Sequence, residues 1–448
     1  MKTRTALSIS FLWIFSSLAA IAAQTPSPDF DALGRAFVLE LSQKQFDKAV
    51  ARFDAPMVQA LPAPKVAETW TGLLGKVGEF KSIKETRVEA IQRYHRVHVI
   101  CDFEKSPLDV QVVFNSDGKV SGLHFAPVTA AWSAPAYADL KSFQERTVSI
   151  HDGKWELPGT LTVPVKSGRY PAVVLVHGSG PNDEDETILG NKPFKDLAWG
   201  LASQGIVVLR YEKRTRIYGA KFGDDPDKVT VKEETIDDAQ AAVAIAAQQP
   251  EVDPKHVYVI GHSLGGMLGP RIAENDPQIA GLILMAGTTR PLEQVIVEQI
   301  HYLTSLPDVT PEDAKKQIAD AEDSARQIES PSLKVGMHVK VLGADTPASY
   351  WLDLRDYHPG ETAAKLTIPI LVLQGGRDYQ VRTADFEGWQ KALAGRANVT
   401  LKLYPALNHL FAEGTGPSTP QEYDKPSHVS AEVIKDIASW IQAGGTFK

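Results

Sequence analysis

The chain predicts an α/β domain, a mostly parallel sheet flanked by helices, that carries a helical cap insertion and follows a small α+β N-terminal domain. Three observations carry this. From Phe143 onward, short apolar runs alternate with helical stretches. Nearer the N-terminus, alternating strand patterns flank an Asn-Ser-Asp-Gly turn. Residues 288–366 interrupt the alternation with helical patterns of their own. Continuous apolar runs fit strands covered by helices on both faces, because such strands have no polar side to show.

The first residues predict an export signal over 1–23. Lys2 and Arg4 precede an apolar run from Ala6 to Ala19, and Ala20-Ile21-Ala22-Ala23 offers a small-residue cleavage site. This places the protein in the periplasm or outside the cell, with a retained anchor as the alternative. No Cys stands near the site to take a lipid. No later segment is apolar for the ~20 residues that a membrane span needs, so no stable membrane insertion is expected after cleavage. Cleavage removes two basic residues and no acidic one, taking the net charge from −8 to −10. An acidic surface argues against nucleic acid or an anionic membrane as partner. The single cysteine, Cys101, lies among Val99, Ile100 and Phe103 and reads as a buried strand residue.

Residues 24–130 form the small domain. Phe30, Leu33, Phe37 and Leu41 recur at helical spacing, Val97, Val99, Cys101 and Phe103 alternate as in a strand, and Val110, Val112 and Phe114 alternate again before the turn. Pro127 to Pro135 reads as the linker. In residues 131–448 the strand-like runs are Ala172–Val176, Ile206–Arg210, Val257–Ile260, Leu282–Met285, Ile370–Leu373 and Leu401–Tyr404, with helices over Pro193–Ser203 and Ile236–Gln248. The interruption, 288–366, far exceeds the usual ~4–6-residue connection. It predicts a cap, with helices near Leu292–Leu303 and Pro311–Ile328 and an aromatic group, Tyr350, Trp351 and Tyr357, suited to lining an acyl pocket.

The chemistry concentrates in Gly261-His262-Ser263-Leu264-Gly265-Gly266, between a strand and a helix. Such a turn pushes a serine hydroxyl out at the sheet edge, and the flanking glycines let strand and helix approach. A serine hydroxyl needs a base, and the base needs an orienting acid. Asp378 and His409 each follow a strand and come in the order acid, then base; Asp385 and Asp353 are weaker rivals for the acid because neither directly follows a strand. The backbone N–H of Leu264 and that of Ser179, with Gly180 as second choice, would hold the oxyanion. Asp183-Glu184-Asp185-Glu186 reads as a solvated loop rather than a calcium site, because no Gly-centred ligand spacing follows. Arg210 or Arg214 pairs with this loop or meets a substrate carboxylate, with Arg210 the candidate for substrate binding. No metal is expected.

At these residues the chain resembles the α/β-hydrolase superfamily over 145–445. More narrowly, it resembles bacterial carboxylesterases related to dienelactone hydrolase, with His-Gly-Ser-Gly-Pro at 177–181, Arg-Tyr-Glu-Lys-Arg at 210–214 and Gly-His-Ser-Leu-Gly-Gly at 261–266. Leu373–Asp378 and Asn408–His409 match as well. The N-terminal domain is similar to a domain of unknown function fused ahead of such esterases. The resemblance implies hydrolysis of small-molecule esters with short acyl chains by a serine triad without a cofactor. Dienelactone hydrolases themselves use a cysteine nucleophile, and Ser263 departs from that. The alternatives are a peptidase or acyltransferase of the same fold, or a binding protein with a vestigial triad. A prolyl-oligopeptidase-like enzyme would need a repeated propeller in front, and the repeat-free N-terminal domain is too short to build one.

Overall fold

The computed structural model describes residues 28–91, 94–128, 132–274, 276–307 and 309–446. The expected signal segment, and residues 129–131 of the expected linker, lie outside them. The chain divides into two compact units, 1–128 and 129–448.

In the first unit a helix, Phe30–Ser42, is capped by the Asp29 carboxylate on the N–H of Ala32 and buries Phe30, Phe37, Val38 and Leu41. They pack on an antiparallel sheet of β1 (Phe80–Ile91), β2 (Tyr94–Phe103), β3 (Leu108–Asn115) and β4 (Val120–Pro127), in that order. Val97, Val99, Cys101 and Phe103 alternate onto the buried face, with Trp70 of the helix Ala63–Val77 among their neighbours in this core. The β3–β4 turn is made by Asn115, whose side-chain oxygen accepts from the N–H groups of Asp117 and Lys119, and by Gly118 at φ +73. Burial pushes the Cys101 thiol up to about 12.

In the second unit the sheet comprises β5 (Phe143–Asp152), β6 (Trp155–Pro164), β7 (Tyr170–Val176), β8 (Val207–Tyr211), β9 (Val252–His262) and β10 (Ile279–Met285), and then, past a cap hairpin of β11 (His338–Val341) and β12 (Ala344–Pro347), β13 (Ile370–Gly375) and β14 (Val399–Tyr404). The strand order is β14-β13-β10-β9-β7-β8-β6-β5. From β14 to β8 every neighbour is parallel, and β6 and β5 add an antiparallel hairpin.

Alternation along each central strand supplies two cores. Val174, Val176, Leu282, Leu284, Ile370 and Val372 face the helices Asp237–Ala247, Leu264–Ala273 and Thr383–Ala392. Val173, Leu175, Ile283, Leu371 and Leu373 face Pro193–Ala202 and Ala431–Gln442, whose Val433, Ile434, Ile437 and Ile441 repeat at helical spacing. Burial on both sides is the reason the strands read as unbroken apolar runs.

The order of the strands places the site. The chain leaves β7 for β8 on one side and returns as β9 on the other, so a crevice opens between the C-terminal ends of β7 and β9, where open α/β sheets bind ligands. The segment between β10 and β13 holds the helices Leu292–Thr304 and Pro311–Glu329, the β11–β12 hairpin, and the helices Ala348–Arg355 and Pro359–Lys365.

Candidate active site

Ser263 is the turn between β9 and the helix Leu264–Ala273, and its backbone is held at φ 53, ψ −114. A non-glycine residue there carries about 1–3 kcal/mol of strain. The turn is fixed by the Ser263 N–H on the carbonyl of Met285 in β10, at 2.9 Å. It is also fixed by backbone contacts that only glycine permits. A Cβ on Gly265 would lie 2.3 Å from the carbonyl oxygen of Val176, and one on Gly261 would lie 2.1 Å from that of Gly265. The substitution Ser263→Gly is therefore expected to raise stability by about 1 kcal/mol over Ser263→Ala, read from urea midpoints at equal m. An equal or lower midpoint would show that the turn stores no strain.

Asp378, just past β13, is buried, and both of its carboxylate oxygens are hydrogen-bonded. Its Oδ1 accepts from the N–H groups of Gln380 (2.8 Å) and Val381 (2.9 Å). Its Oδ2 meets His409 Nδ1 at 2.7 Å and Gln374 Nε2 at 3.2 Å. With Nδ1 engaged, Nε2 is the nitrogen left to serve a hydroxyl. The loop holding His409 is shaped by Asn408, whose Oδ1 accepts from the N–H groups of Leu410 and Ala412. Asp385 is not placed to replace Asp378: its carboxylate accepts from Thr288 Oγ1 and Thr289 N and pairs with Arg290 at 2.7 Å. Asp353 pairs with Arg271 at 2.7 Å.

The loop after β7 runs beside Ser263; a Cβ on Gly178 would lie 3.1 Å from the Ser263 Cβ. Gly178 gives its own N–H to Glu186 Oε1 at 2.6 Å. The N–H groups of Ser179 and of Leu264, the latter at a helix N-terminus, have no backbone acceptor among the described residues. Gly180 takes the left-handed conformation, φ +95.

The structure corrects the expected solvated loop. Asp185 is buried between Lys192 and Arg210, at 2.9 Å from each, and Glu186 is buried against His262. Arg210 is likewise not a substrate-facing residue: its side chain is 1% exposed and is consumed by Asp185 and Glu145. Arg214 is spent on Asp238 and Asp152.

The expected aromatic acyl wall is corrected as well. Trp351 is buried and donates from Nε1 to Thr346 of β12, Tyr350 packs edge-on against it, and Tyr357 donates to the carbonyl of Met267 under the Arg271 guanidinium. Spent on these contacts, the three side chains stitch the insertion together and onto the helix that follows Ser263. A different aromatic group stands by Asp378 and His409. Tyr302 of the cap helix Leu292–Thr304 stacks at 5.2 Å on Tyr379, the residue after Asp378. Around them cluster Leu410, the residue after His409, with Tyr423 and Ile188. Gln299 of the same helix donates to the carbonyl of Gln380 at 2.9 Å. These residues are scattered along the chain and carry no local pattern. His262, Glu186 and Lys213 each lie inside a motif, but nothing in the spacing marks them as site residues.

A family model described as serine aminopeptidase, S33, matches residues 172–413, and one described as a protein of unknown function (DUF3887) matches residues 35–123. Esterase EstD of Thermotoga maritima is 39% identical over 414 residues, which is 92% of this chain and 95% of that protein. Among solved structures, Est1E from Butyrivibrio proteoclasticus is 17% identical, covering 66% of this chain and 99% of that one with a TM-score of 0.44. The esterase domain of a Rhodothermus marinus protein is 16% identical, covering 67% and 98% with a TM-score of 0.41.

Proposed function

Because the chain belongs to the serine aminopeptidase S33 family of α/β-hydrolases, we propose that it is a serine carboxylesterase acting on short-chain esters. The observation that carries this is the strained Ser263 turn in the same unit as the bonded pair Asp378–His409. His409 Nε2 takes the Ser263 proton as Oγ attacks the ester carbonyl. The oxygen, now negative, rests on the N–H groups of Leu264 and Ser179. The carbon–oxygen bond to the alcohol breaks as His409 returns the proton to the leaving group. Water, deprotonated by His409, then attacks the acyl-enzyme, and Ser263 leaves with that proton.

The short-chain preference is supported by the cap helix, whose Tyr302 and Gln299 pack on the loop that carries Asp378. A roof seated on that loop leaves limited room for an acyl chain. With p-nitrophenyl esters from acetate upward, kcat/KM is expected to fall steeply beyond about six to eight acyl carbons, as suits a pocket of a few hundred Å³. Strong turnover of emulsified long-chain triglyceride would overturn this. A second reading, peptidase, is favoured by the family's description. Against it stands likeness to an esterase over 92% of the chain. Aminoacyl p-nitroanilides separate the two: faster hydrolysis of these than of p-nitrophenyl acetate would make the protein a peptidase.

A further inference from the structure

We infer that Glu186 and His262 are positioning residues that lock the oxyanion loop and the base loop into one register, an inference that rests on the serine-esterase reading above. Glu186, in the loop after β7 at φ +51, and His262, the residue before Ser263, are both buried. Glu186 Oε1 accepts the N–H of Gly178 at 2.6 Å, and Oε2 lies 2.8 Å from His262 Nδ1. His262 Nε2 lies 2.9 Å from the carbonyl oxygen of His409, and the two rings are 4.7 Å apart. One carboxylate and one imidazole thus connect the backbone beside Ser179, the residue before the nucleophile, and the backbone of the base.

With Glu186 ionised, both ring nitrogens of His262 face oxygen acceptors, each carries a proton, and the ring is a cation opposite the Glu186 anion. Burial opposes charge on both. The mutual attraction overcomes it, holding the imidazole above and the carboxyl below their usual ranges. Asp378 adds to the field at His262, while His177, itself buried and pushed down to about 4, and Lys213 stand on the oxyanion-loop side. Lys213 holds the other end of the same residue: its Nζ donates to the Gly178 carbonyl at 2.8 Å and pairs with Glu234 at 2.7 Å. With N–H and C=O of Gly178 both taken, the next donor in the chain, the Ser179 N–H, has its direction set. Oxyanion donors act only within about 2.7–3.1 Å of the developing charge, and an error of about 1 Å costs on the order of 10²-fold in rate.

The test compares Glu186→Ala with Glu186→Gln. The carboxamide can keep every bond: its oxygen accepts from Gly178, its NH₂ donates to His262 Nδ1, and the now neutral ring keeps its Nε2 proton for the His409 carbonyl. Alanine keeps none. Glu186→Ala is expected to lower kcat by about 10²-fold with KM within about threefold, because the lost alignment matters in the transition state. Glu186→Gln is expected to restore kcat to within about fivefold of the parent. The ¹⁵N signals of His262 should change from two protonated nitrogens in the parent to one in Glu186→Gln. If Glu186→Ala does not fold, His262→Ala is the replacement, with the same expected loss. Unchanged kcat in the alanine variant, a loss confined to KM, or a glutamine variant as poor as alanine would overturn the inference. Fluorophosphonate labelling of the parent keeps the two claims apart: an unlabelled parent refutes the serine-esterase reading, whereas a labelled parent with an indifferent Glu186→Ala refutes only the positioning role.

Discussion

Ser263→Ala is expected to lower kcat by about 10⁶-fold while leaving the thermal transition in place, because solvent supplies no substitute for a positioned alkoxide. His409→Ala should do comparable damage. Asp378→Asn should cost about 10⁴-fold. An amide at Oδ2 presents a donor to His409 Nδ1 and so favours the tautomer with its proton on Nε2, the nitrogen that accepts from Ser263 in the proposed mechanism. Gln380 and Val381 would still donate to the unaltered Oδ1, so the loop keeps its shape and the loss belongs to the chemistry. The decisive measurement is single-turnover acylation with p-nitrophenyl acetate. An Asp378→Asn enzyme that acylates within tenfold of the parent would move the acid elsewhere.

The largest effect on stability is expected at Arg214. Its side chain is 1% exposed, donates from Nε to both oxygens of Asp238 at 3.0 Å, and lies over the ring of Trp155. Asp238 is as deeply buried, and burial already pushes its carboxyl up to about 6 despite the guanidinium. Arg214→Met removes the cation and strands the anion, a change that costs about 3–5 kcal/mol in buried pairs. The sign with pH follows from the raised folded value. In the variant the folded state holds a proton on Asp238 that the unfolded chain has already released. Stability therefore falls as pH rises from the ordinary carboxylate range through the folded value. Urea unfolding should show a smaller deficit near pH 5 than near pH 8. A deficit below about 1 kcal/mol at pH 8 would mean that the pair is solvated.

The parallel strands were legible because burial on both faces leaves unbroken apolar runs, and the Ser263 turn because its glycines answer a steric demand that few other sequences meet. Other elements were hidden for local reasons. In β1, bulges between Phe80 and Ser82 and between Ile83 and Glu85 destroy the alternation that marks a strand. In β6, Pro158 and Gly159 read as punctuation, yet Gly159 is where the backbone of Arg210 passes, and a Cβ there would lie 2.8 Å from the Arg210 carbonyl oxygen. The acidic run 183–186 looks solvated because composition does not reveal which cations fold back onto it; Arg210 and His262 arrive from β8 and β9. Trp351, Tyr350 and Tyr357 suggested a pocket because clustered aromatics suit one. The same clustering also suits an anchor, and the hydrogen bonds of Trp351 to Thr346 and of Tyr357 to Met267 distinguish the two uses.

Cys101 gives the molecule an internal clock. It is the single thiol in the sequence, it is fully buried in β2, and its raised acidity range leaves almost none of it as the reactive thiolate. A disulfide reagent added to the folded protein can reach it only when the small antiparallel sheet opens. The rate of colour development therefore counts openings of that unit alone. Ester turnover counts the intact fraction of the other unit, so two assays in one cuvette, run up a urea series, show whether the halves of this chain come apart together or one before the other.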